Sequence, residues 1–95
     1  MRIHSPLQNT TVVPPFNASG MHDRIGTAVA KVFRFDNGAL LYQSNPPTPI
    51  PDFPGLWTIN GLQVGGVPAG TTIRLVVEAT DMYGVWSHTI MLFVG

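Results

Sequence analysis

The sequence has no cysteine, few charges and no helical periodicity, and each absence excludes a class of protein. Without cysteine, the chain of 95 residues can have no disulfide scaffold, thiolate zinc site or cysteine nucleophile. Only 11% of its residues are charged and its formal net charge is zero, so it has no basic patch with which to bind the phosphates of a nucleic acid. No apolar run approaches the ~18 residues of a membrane span. No long segment repeats apolar residues with a helical period, so we predict no helix.

The N-terminal residues 1–8 contain no charged region followed by an apolar run, so we identify no signal peptide in them. If the domain is exported, we expect the signal to lie upstream in a longer chain. Hydrophobic residues make up 44% of the sequence, which is enough to form a core. The length predicts one domain, residues 1–95.

The strongest pattern present is an antiparallel hairpin over residues 71–94, in which apolar and polar side chains alternate. Its core faces are predicted to consist of Ile73, Leu75, Val77 and Ala79 in the first arm and Trp86, His88, Ile90, Leu92 and Val94 in the second. At the turn, Asp81 can accept bonds from nearby backbone N–H groups, and Gly84 can adopt a positive φ. We interpret Asp81 as a turn residue rather than a calcium ligand, because calcium usually needs several carboxylates and the whole chain has five.

Shorter strands are predicted along the rest of the chain, at residues 2–4, 16–20, 25–36, 39–43, 55–60 and 62–64. Turns are predicted at Asp36-Asn37-Gly38 and at Asn60-Gly61. Residues 12–13 precede two prolines and therefore belong at a sheet edge. The parity of residues 25–36 is ambiguous, so either a bulge shifts the register midway or both faces are partly covered.

Residues 44–54 contain five prolines and cannot form a central strand. We expect this segment to run extended along the surface as a stiff crossover between sheets, near the polyproline II conformation. The functional alternative is a proline-rich ligand for an aromatic groove. Many short strands with closely spaced turns predict an all-β sandwich.

The order of these pieces resembles the bacterial immunoglobulin-like (fibronectin-III-like) domains of surface and secreted proteins. The resemblance covers almost the whole chain and depends on Ile3-x-Ser5-Pro6, Val12, Phe16-x-x-Ser19-Gly20, Gly55-x-Trp57, Pro68-Ala69-Gly70-Thr71 and Leu75-x-Val77-x-Ala79-Thr80-Asp81-x-x-Gly84. It implies an immunoglobulin-like Greek-key β-sandwich of about seven strands. It also implies a spacer, adhesion or binding module, rarely a catalyst. The proline-rich insertion at 44–54 is longer than usual in such domains, and phage virion proteins carry them too.

The three histidines do not have the spacing of a metal site, so we predict no metal and no cofactor. His22-Asp23 could be a base with an orienting acid, but no nucleophile is identified beside it, and we predict no enzyme. His88 is interpreted as a satisfied histidine at the rim of the core.

Aromatic side chains are the best candidates for binding, because their faces stack on sugars and anchor protein interfaces. Trp57 is expected in the core, whereas Trp86 and Tyr83, near the hairpin turn, either pack over the sandwich end or face a partner. Met91 and Phe93 are apolar residues on the predicted outer face and suggest a contact with a neighbouring domain or with a second copy. The partner-binding candidates are thus Trp86, Tyr83, Met91, Phe93 and Tyr42.

From these observations we expect a non-catalytic structural or binding module of a larger bacterial or phage protein, located outside the cell or on a virion. Its partners would be neighbouring domains or another protein, and not a nucleic acid or a membrane interior. The alternative is a carbohydrate-binding module that holds polysaccharide with Trp86, Tyr83 and Tyr42.

Overall fold

A computed structural model describes all residues, 1–95, and contains nine β-strands and no helix. The strands are β1 (Arg2–Ser5), β2 (Thr11–Val12), β3 (Phe16–Met21), β4 (Gly26–Arg34), β5 (Leu40–Gln43), β6 (Thr48–Ile50), β7 (Leu56–Leu62), β8 (Thr72–Asp81) and β9 (Gly84–Val94). No helix is available that could cross a membrane.

The strands form two sheets of unequal width. The narrow sheet has the order β1-β3-β7, and the wide sheet has the order β2-β9-β8-β4-β5, with β6 also paired to β4. The chain changes sheets on both sides of β2, and again between β3 and β4, between β6 and β7, and between β7 and β8. The first strand pairs with the narrow sheet, and the short β2 then pairs parallel to the last strand in the wide sheet. This is the immunoglobulin-like Greek-key sandwich, with nine strands when the short β2 and β6 are counted.

The central hairpin is confirmed. Strands β8 and β9 pair antiparallel without interruption from Thr72↔Phe93 to Asp81↔Gly84, and Gly84 has a φ of 140°. The buried residues of the two strands are Ile73, Leu75, Val77, Ala79, Ile90, Leu92 and Val94. The prediction is wrong for Trp86, which is exposed, and for His88, which is only half-buried, because both lie near the turn where the narrow sheet covers β9 less completely. Against the buried residues pack core residues of the narrow sheet, including Ala18, Trp57 and Ile59, in one cluster of 19 residues. Burial of this apolar surface is the main stabilising contribution to the fold.

The ambiguous parity of β4 is resolved by its neighbours. Ala28, Ala30 and Val32 are buried against the narrow sheet, while Val29 and Phe33 are only half covered on the outer face. The pairing with β5 contains a bulge between Val32 and Phe33. The extra residue at this bulge is Leu41 of β5, and β4 pairs with β8 without a shift. The explanation by a bulge within residues 25–36 is therefore wrong, and the partly covered outer face accounts for the ambiguous parity.

As predicted, the proline-rich segment is not a central strand, but most of it continues an edge of the wide sheet and only its end crosses between the sheets. Strands β5 and β6 pair with successive parts of the same edge of β4. Ser44 lies between them and continues the edge, since its N–H donates to the Ala30 carbonyl and its Oγ accepts from the Ala30 N–H. The crossover to β7 is confined to residues 51–55.

The prediction of a turn at Asn60-Gly61 is wrong, because β7 continues through it to Leu62. Gly61 has a φ of 71°, and the pairing with β3 shifts register between Phe16 and Ala18. The Gly61 N–H donates to the side chain of Asn17. Asn-Gly therefore encodes a bulge here, in which a glycine with positive φ takes up the extra residue.

Candidate binding surface at the hairpin end

Three connections meet at one end of the sandwich, which we call the hairpin end: residues 22–25, 51–55 and 82–83. The strand registers bring them together, since β3 ends opposite the start of β7 and β4 begins beside the end of β8. The backbone N–H of His22 donates to the Gly55 carbonyl at 3.0 Å. A Cβ on Gly55 would lie 1.7 Å from the His22 carbonyl oxygen, so only glycine allows this approach.

Asp81 is the buried centre of the hairpin end, and its side chain is inaccessible to solvent. Its Oδ2 lies 2.7 Å from Nε2 of His22 and accepts a bond from Nε of Arg24 at 3.1 Å. Its Oδ1 accepts the backbone N–H of Tyr83 at 2.7 Å. One carboxylate thus connects the β3–β4 connection to the hairpin turn. The interpretation of Asp81 as a turn residue is correct but incomplete, because it also joins two loops.

These donors set the protonation state of Asp81. The hydrogen bond from His22 makes the largest contribution, and the Tyr83 backbone, Arg24 and Trp86 act in the same direction. Together they hold the pKa of Asp81 well below its ordinary value, although burial alone would raise it. Asp81 is therefore an anion at any physiological pH, and it fixes the position of the Arg24 cation.

Arg24 lies over the two aromatic side chains near the turn. Its guanidinium carbon is 4.9 Å from the centroid of the Tyr83 ring and 5.5 Å from that of the Trp86 ring. These distances are in the range of cation–π attraction. Because Arg24 is itself held by Asp81, the buried carboxylate positions the cation to which both rings are attracted. Tyr83 remains 66% exposed and Trp86 44% exposed.

Further apolar side chains are exposed at the same end of the sandwich. Exposed residues at this end of the sandwich include Ile25, Phe53, Met82 and Val85. The charged groups at this end include Arg24 and Asp23, with Nη1 of the arginine 3.5 Å from Oδ2 of the aspartate, and Asp52, which precedes Phe53. Tyr83, Trp86 and these four residues form what we call the hairpin-end surface. Exposed apolar residues gathered on one surface are typical of a contact site.

His22 is paired with an acid, but its partner is Asp81 and not the adjacent Asp23. Nδ1 of His22 lies 3.8 Å from Asp23 and has no hydrogen-bond partner. The histidine is 2% exposed, and its side chain bonds only to Asp81. A substrate could not reach the imidazole without opening the hairpin end, so this geometry favours a structural function for the pair.

The five residues predicted for binding lie in three places. Tyr83 and Trp86 are together at the hairpin end. Met91 is five residues further along β9, about 17 Å away at the rise of a strand, and Phe93 follows it. Phe93 is 36% exposed, whereas Met91 is half-buried. Tyr42 lies opposite Val32, which is six residues from the start of β4 and thus about 20 Å from the hairpin end. It packs partly against the core.

Sequence reasoning missed Arg24, the residue that organises the two rings, and it missed the connection from His22 to Asp81. His22 and Arg24 each lie nearly sixty residues before Asp81 in the chain. No local signal in the sequence indicates these pairs, because a charged residue in a turn between strands is usually solvated.

Comparison with known proteins adds support for the fold alone. No protein-family model matches the chain, and no curated protein matches it. Among solved structures, an engineered protein of the Northeast Structural Genomics Consortium superposes with a TM-score of 0.65 at 14% identity. The superposition covers 99% of this chain and 19% of that one, so this chain spans about a fifth of the engineered protein.

A second solved structure, the ZIG-8–RIG-5 IG1–IG1 heterodimer, has a TM-score of 0.40 at 16% identity. It covers 100% of this chain and 89% of the other. That score is too low to support an argument. The immunoglobulin-like assignment therefore depends on the strand order and pairing described above.

Proposed function

We propose that this domain is a non-catalytic binding module that contacts a protein partner, or a neighbouring domain of its own polypeptide, through the hairpin-end surface. One observation carries the proposal: Tyr83 and Trp86 are exposed, and yet both rings lie against Arg24, which a buried carboxylate holds in place. Exposed aromatic side chains that are held in one orientation lose little entropy when they bind. Tyrosine, tryptophan and arginine are also the residues that most often dominate interface energetics.

The wider context is also a proposal. The order of motifs resembles bacterial immunoglobulin-like modules, which supports a place in a larger bacterial or phage surface or secreted protein, as a spacer or adhesion domain outside the cell. We assign the domain no catalytic function and no cofactor. His22 is the histidine whose imidazole bonds to a carboxylate. Its enclosed position supports this assignment, because a substrate could not reach the imidazole.

Photo-crosslinking in the full-length parent protein tests the proposal. Tyr83→p-benzoylphenylalanine places a crosslinker of similar shape in the hairpin-end surface. Phe35→p-benzoylphenylalanine is the matched control, since Phe35 is an aromatic residue just past β4, at the opposite end of the sandwich, and is 51% exposed. We expect a discrete adduct, with another domain or another protein, from position 83 and not from position 35. Equal adducts from both positions, or none from position 83, would contradict the proposal.

Polysaccharide binding is the second candidate, and the exposed rings of Tyr83 and Trp86 are the observation in its favour. Arg24 lies over both rings and leaves less of them free for a sugar. Tyr42, about 20 Å away along β4, cannot belong to the same small sugar site.

The two indole N–H resonances separate this candidate from a protein contact. Trp86 is 44% exposed whereas Trp57 is 2% exposed and serves as an internal reference. In a titration with soluble cello-, chito- and peptidoglycan-derived oligosaccharides, a sugar site at the hairpin end would shift the Trp86 resonance and leave that of Trp57 in place. An unmoved Trp86 resonance would exclude these sugars.

A further inference from the structure

Strand β9 has an edge that is only partly paired. Near its C-terminal end, odd-numbered residues bond away from β8: the Phe93 N–H donates to the Thr10 carbonyl, and the Met91 carbonyl accepts the Asn9 N–H. The Met91 N–H donates to the side chain of Gln8. By the alternation of a strand, the backbone groups of Val85, Ser87 and Thr89 point the same way, and they have no partner among the hydrogen bonds of the structure.

Prolines protect the β6 part of the opposite edge of the wide sheet, whereas β5 itself contains none. The edge formed by β5 and β6 carries Pro46, Pro47 and Pro49, which have no N–H to offer a new strand. The outer edge of β7 faces the same prolines across a groove that Ile59 and Asn60 help to line. In contrast, residues 84–94 contain no proline and no Asp, Glu, Lys or Arg, so nothing in β9 opposes the addition of a strand.

Strand β1 lies near this edge but does not pair with it. The Ile3 N–H donates to Nδ1 of the His88 side chain, at 2.8 Å, rather than to the backbone of β9. A cleft between the two strands is lined by residues of both, including Ile3 and His88. The backbone of residues 85–89 is therefore left open, in continuation of the ladder that β2 already forms with Phe93 and Val94.

We propose that residues 85–89 of β9 pair antiparallel with the same residues of a second copy of this chain, about a two-fold axis at Ser87. The segment is self-complementary in this register. Val85 lies opposite Thr89 of the copy, two β-branched residues, and Ser87 lies opposite Ser87. The open residues 85, 87 and 89 then each donate to and accept from the residue opposite. Since the strand is uncharged and the chain has no net charge, no repulsion opposes the contact.

The pairing joins two wide sheets into one continuous sheet, and an isologous contact of this kind closes at two copies. The contact shares Val85 and Trp86 with the hairpin-end surface, but it is made by the backbone edge of β9 and does not depend on the assignment of a partner above. A crosslink from position 83 to another domain or a different protein can be absent while the dimer forms. Equally, that crosslink can form while the domain stays monomeric.

Two double variants that differ at one residue test the register. V85K/T89K places lysine opposite lysine on both sides of the axis, whereas V85K/T89E places lysine opposite glutamate. Val85 and Thr89 are exposed, and their neighbours on β8 are the uncharged Thr80 and Val76. Sedimentation equilibrium of the 95-residue chain, up to about 1 mM, gives the mass in each case.

We expect wild type and V85K/T89E to reach twice the 10.3 kDa of one chain, with V85K/T89K remaining monomeric and at least tenfold weaker in association. The proposal is overturned if wild type stays monomeric, if both double variants associate equally, or if assembly continues beyond two copies.

A backbone test complements the charge test. S87P removes only an N–H that points away from β8, and S87A retains that N–H. We expect S87A to dimerise like wild type and S87P to dimerise at least tenfold more weakly, with circular dichroism confirming that both are folded. If S87P does not fold, the two double variants, whose backbone donors are intact, still decide the question. Equal dimerisation by folded S87P and S87A would count against pairing through the backbone.

Discussion

The centre of the sandwich and its hairpin end are held together by different forces, and the two tryptophans show the difference. Trp57 is enclosed between the sheets, where a Cβ on Gly20 would lie 2.5 Å from its ring. Trp86 is at the hairpin end, where Arg24 lies over its ring and solvent reaches the rest. The centre is stabilised by tight apolar packing, and the hairpin end by one buried carboxylate with three donors. Binding residues can therefore be exposed at the end without weakening the core.

The largest effect is expected in the centre. Trp57→Ala removes a large enclosed ring and leaves a cavity that the surrounding β-strands cannot fill, which should cost about 3–5 kcal/mol of unfolding free energy. Chemical denaturation followed by circular dichroism measures the loss. A cost below about 1 kcal/mol would mean that the centre is far less tightly packed than the structure shows.

Asp81→Asn is expected to rank second, because it removes the anion on which Arg24 and His22 converge. It should lower the melting temperature by less than Trp57→Ala does, and it should loosen the hairpin end selectively. The amide hydrogen-exchange rates of residues 22–25 and 82–86 should then increase more than those of β8. Uniformly faster exchange over the whole chain would contradict a local function for Asp81.

The same carboxylate predicts an acid dependence. Its pKa in the folded state lies well below the ordinary 3.8, so the unfolded chain binds more protons than the folded one below about pH 4. The stabilisation is complete above that pH and is lost as the pH falls towards the folded-state value. Wild type should therefore lose stability in this range more steeply than Asp81→Asn. Parallel pH profiles for the two proteins would show that Asp81 is not the group responsible.

His88 predicts a smaller change at a higher pH. Burial lowers its pKa from the ordinary 6.5, and the nearby Arg2 and the N-terminal amine lower it further. The folded state then binds fewer protons than the unfolded one just below pH 6.5, so stability falls as the pH drops from there to the folded-state value. His88→Asn keeps an acceptor for the Ile3 N–H and should remove this slope. A slope that persists in the variant would assign it to another group.

The smallest effect on stability is expected for Trp86→Ala. Because 44% of this residue is exposed and the attraction to Arg24 is shared with Tyr83, the change should cost about 1 kcal/mol or less. The denaturation measurement used for Trp57→Ala gives the value directly. A cost equal to that of Trp57→Ala would erase the distinction between the centre and the hairpin end.

Local patterns in the sequence predict the centre well. The alternation in β8, together with the turn residues Asp81 and Gly84, determined the hairpin and its core face, and Trp57 is buried as expected. These features depend on neighbouring residues, so they can be derived from a single sequence. The bulge at Gly61 was missed because Asn-Gly favours a turn and a bulge through the same positive φ.

The hairpin end could be predicted only in part. Tyr83 and Trp86 were identified from their residue types and their closeness to a turn. The network that orients them depends on the packing of the β3–β4 connection against the hairpin, and the order of the sheets decides this. Trp86, moreover, has the parity of the buried Ile90 and Leu92 but is 44% exposed. Alternation along a strand predicts which way a side chain points, but it does not predict whether the other sheet covers that side chain.

The unequal width of the two sheets has a consequence for how this fold can change. The narrow sheet has three strands and the wide sheet six, and at the start of β9 the inward-pointing Trp86 is covered by Arg24 and solvent rather than by a strand. Side chains at the start of β9 can vary in size and chemistry with little effect on the interior. New contacts could therefore be acquired at position 86 by single substitutions, while the layers behind it keep the shape they already have.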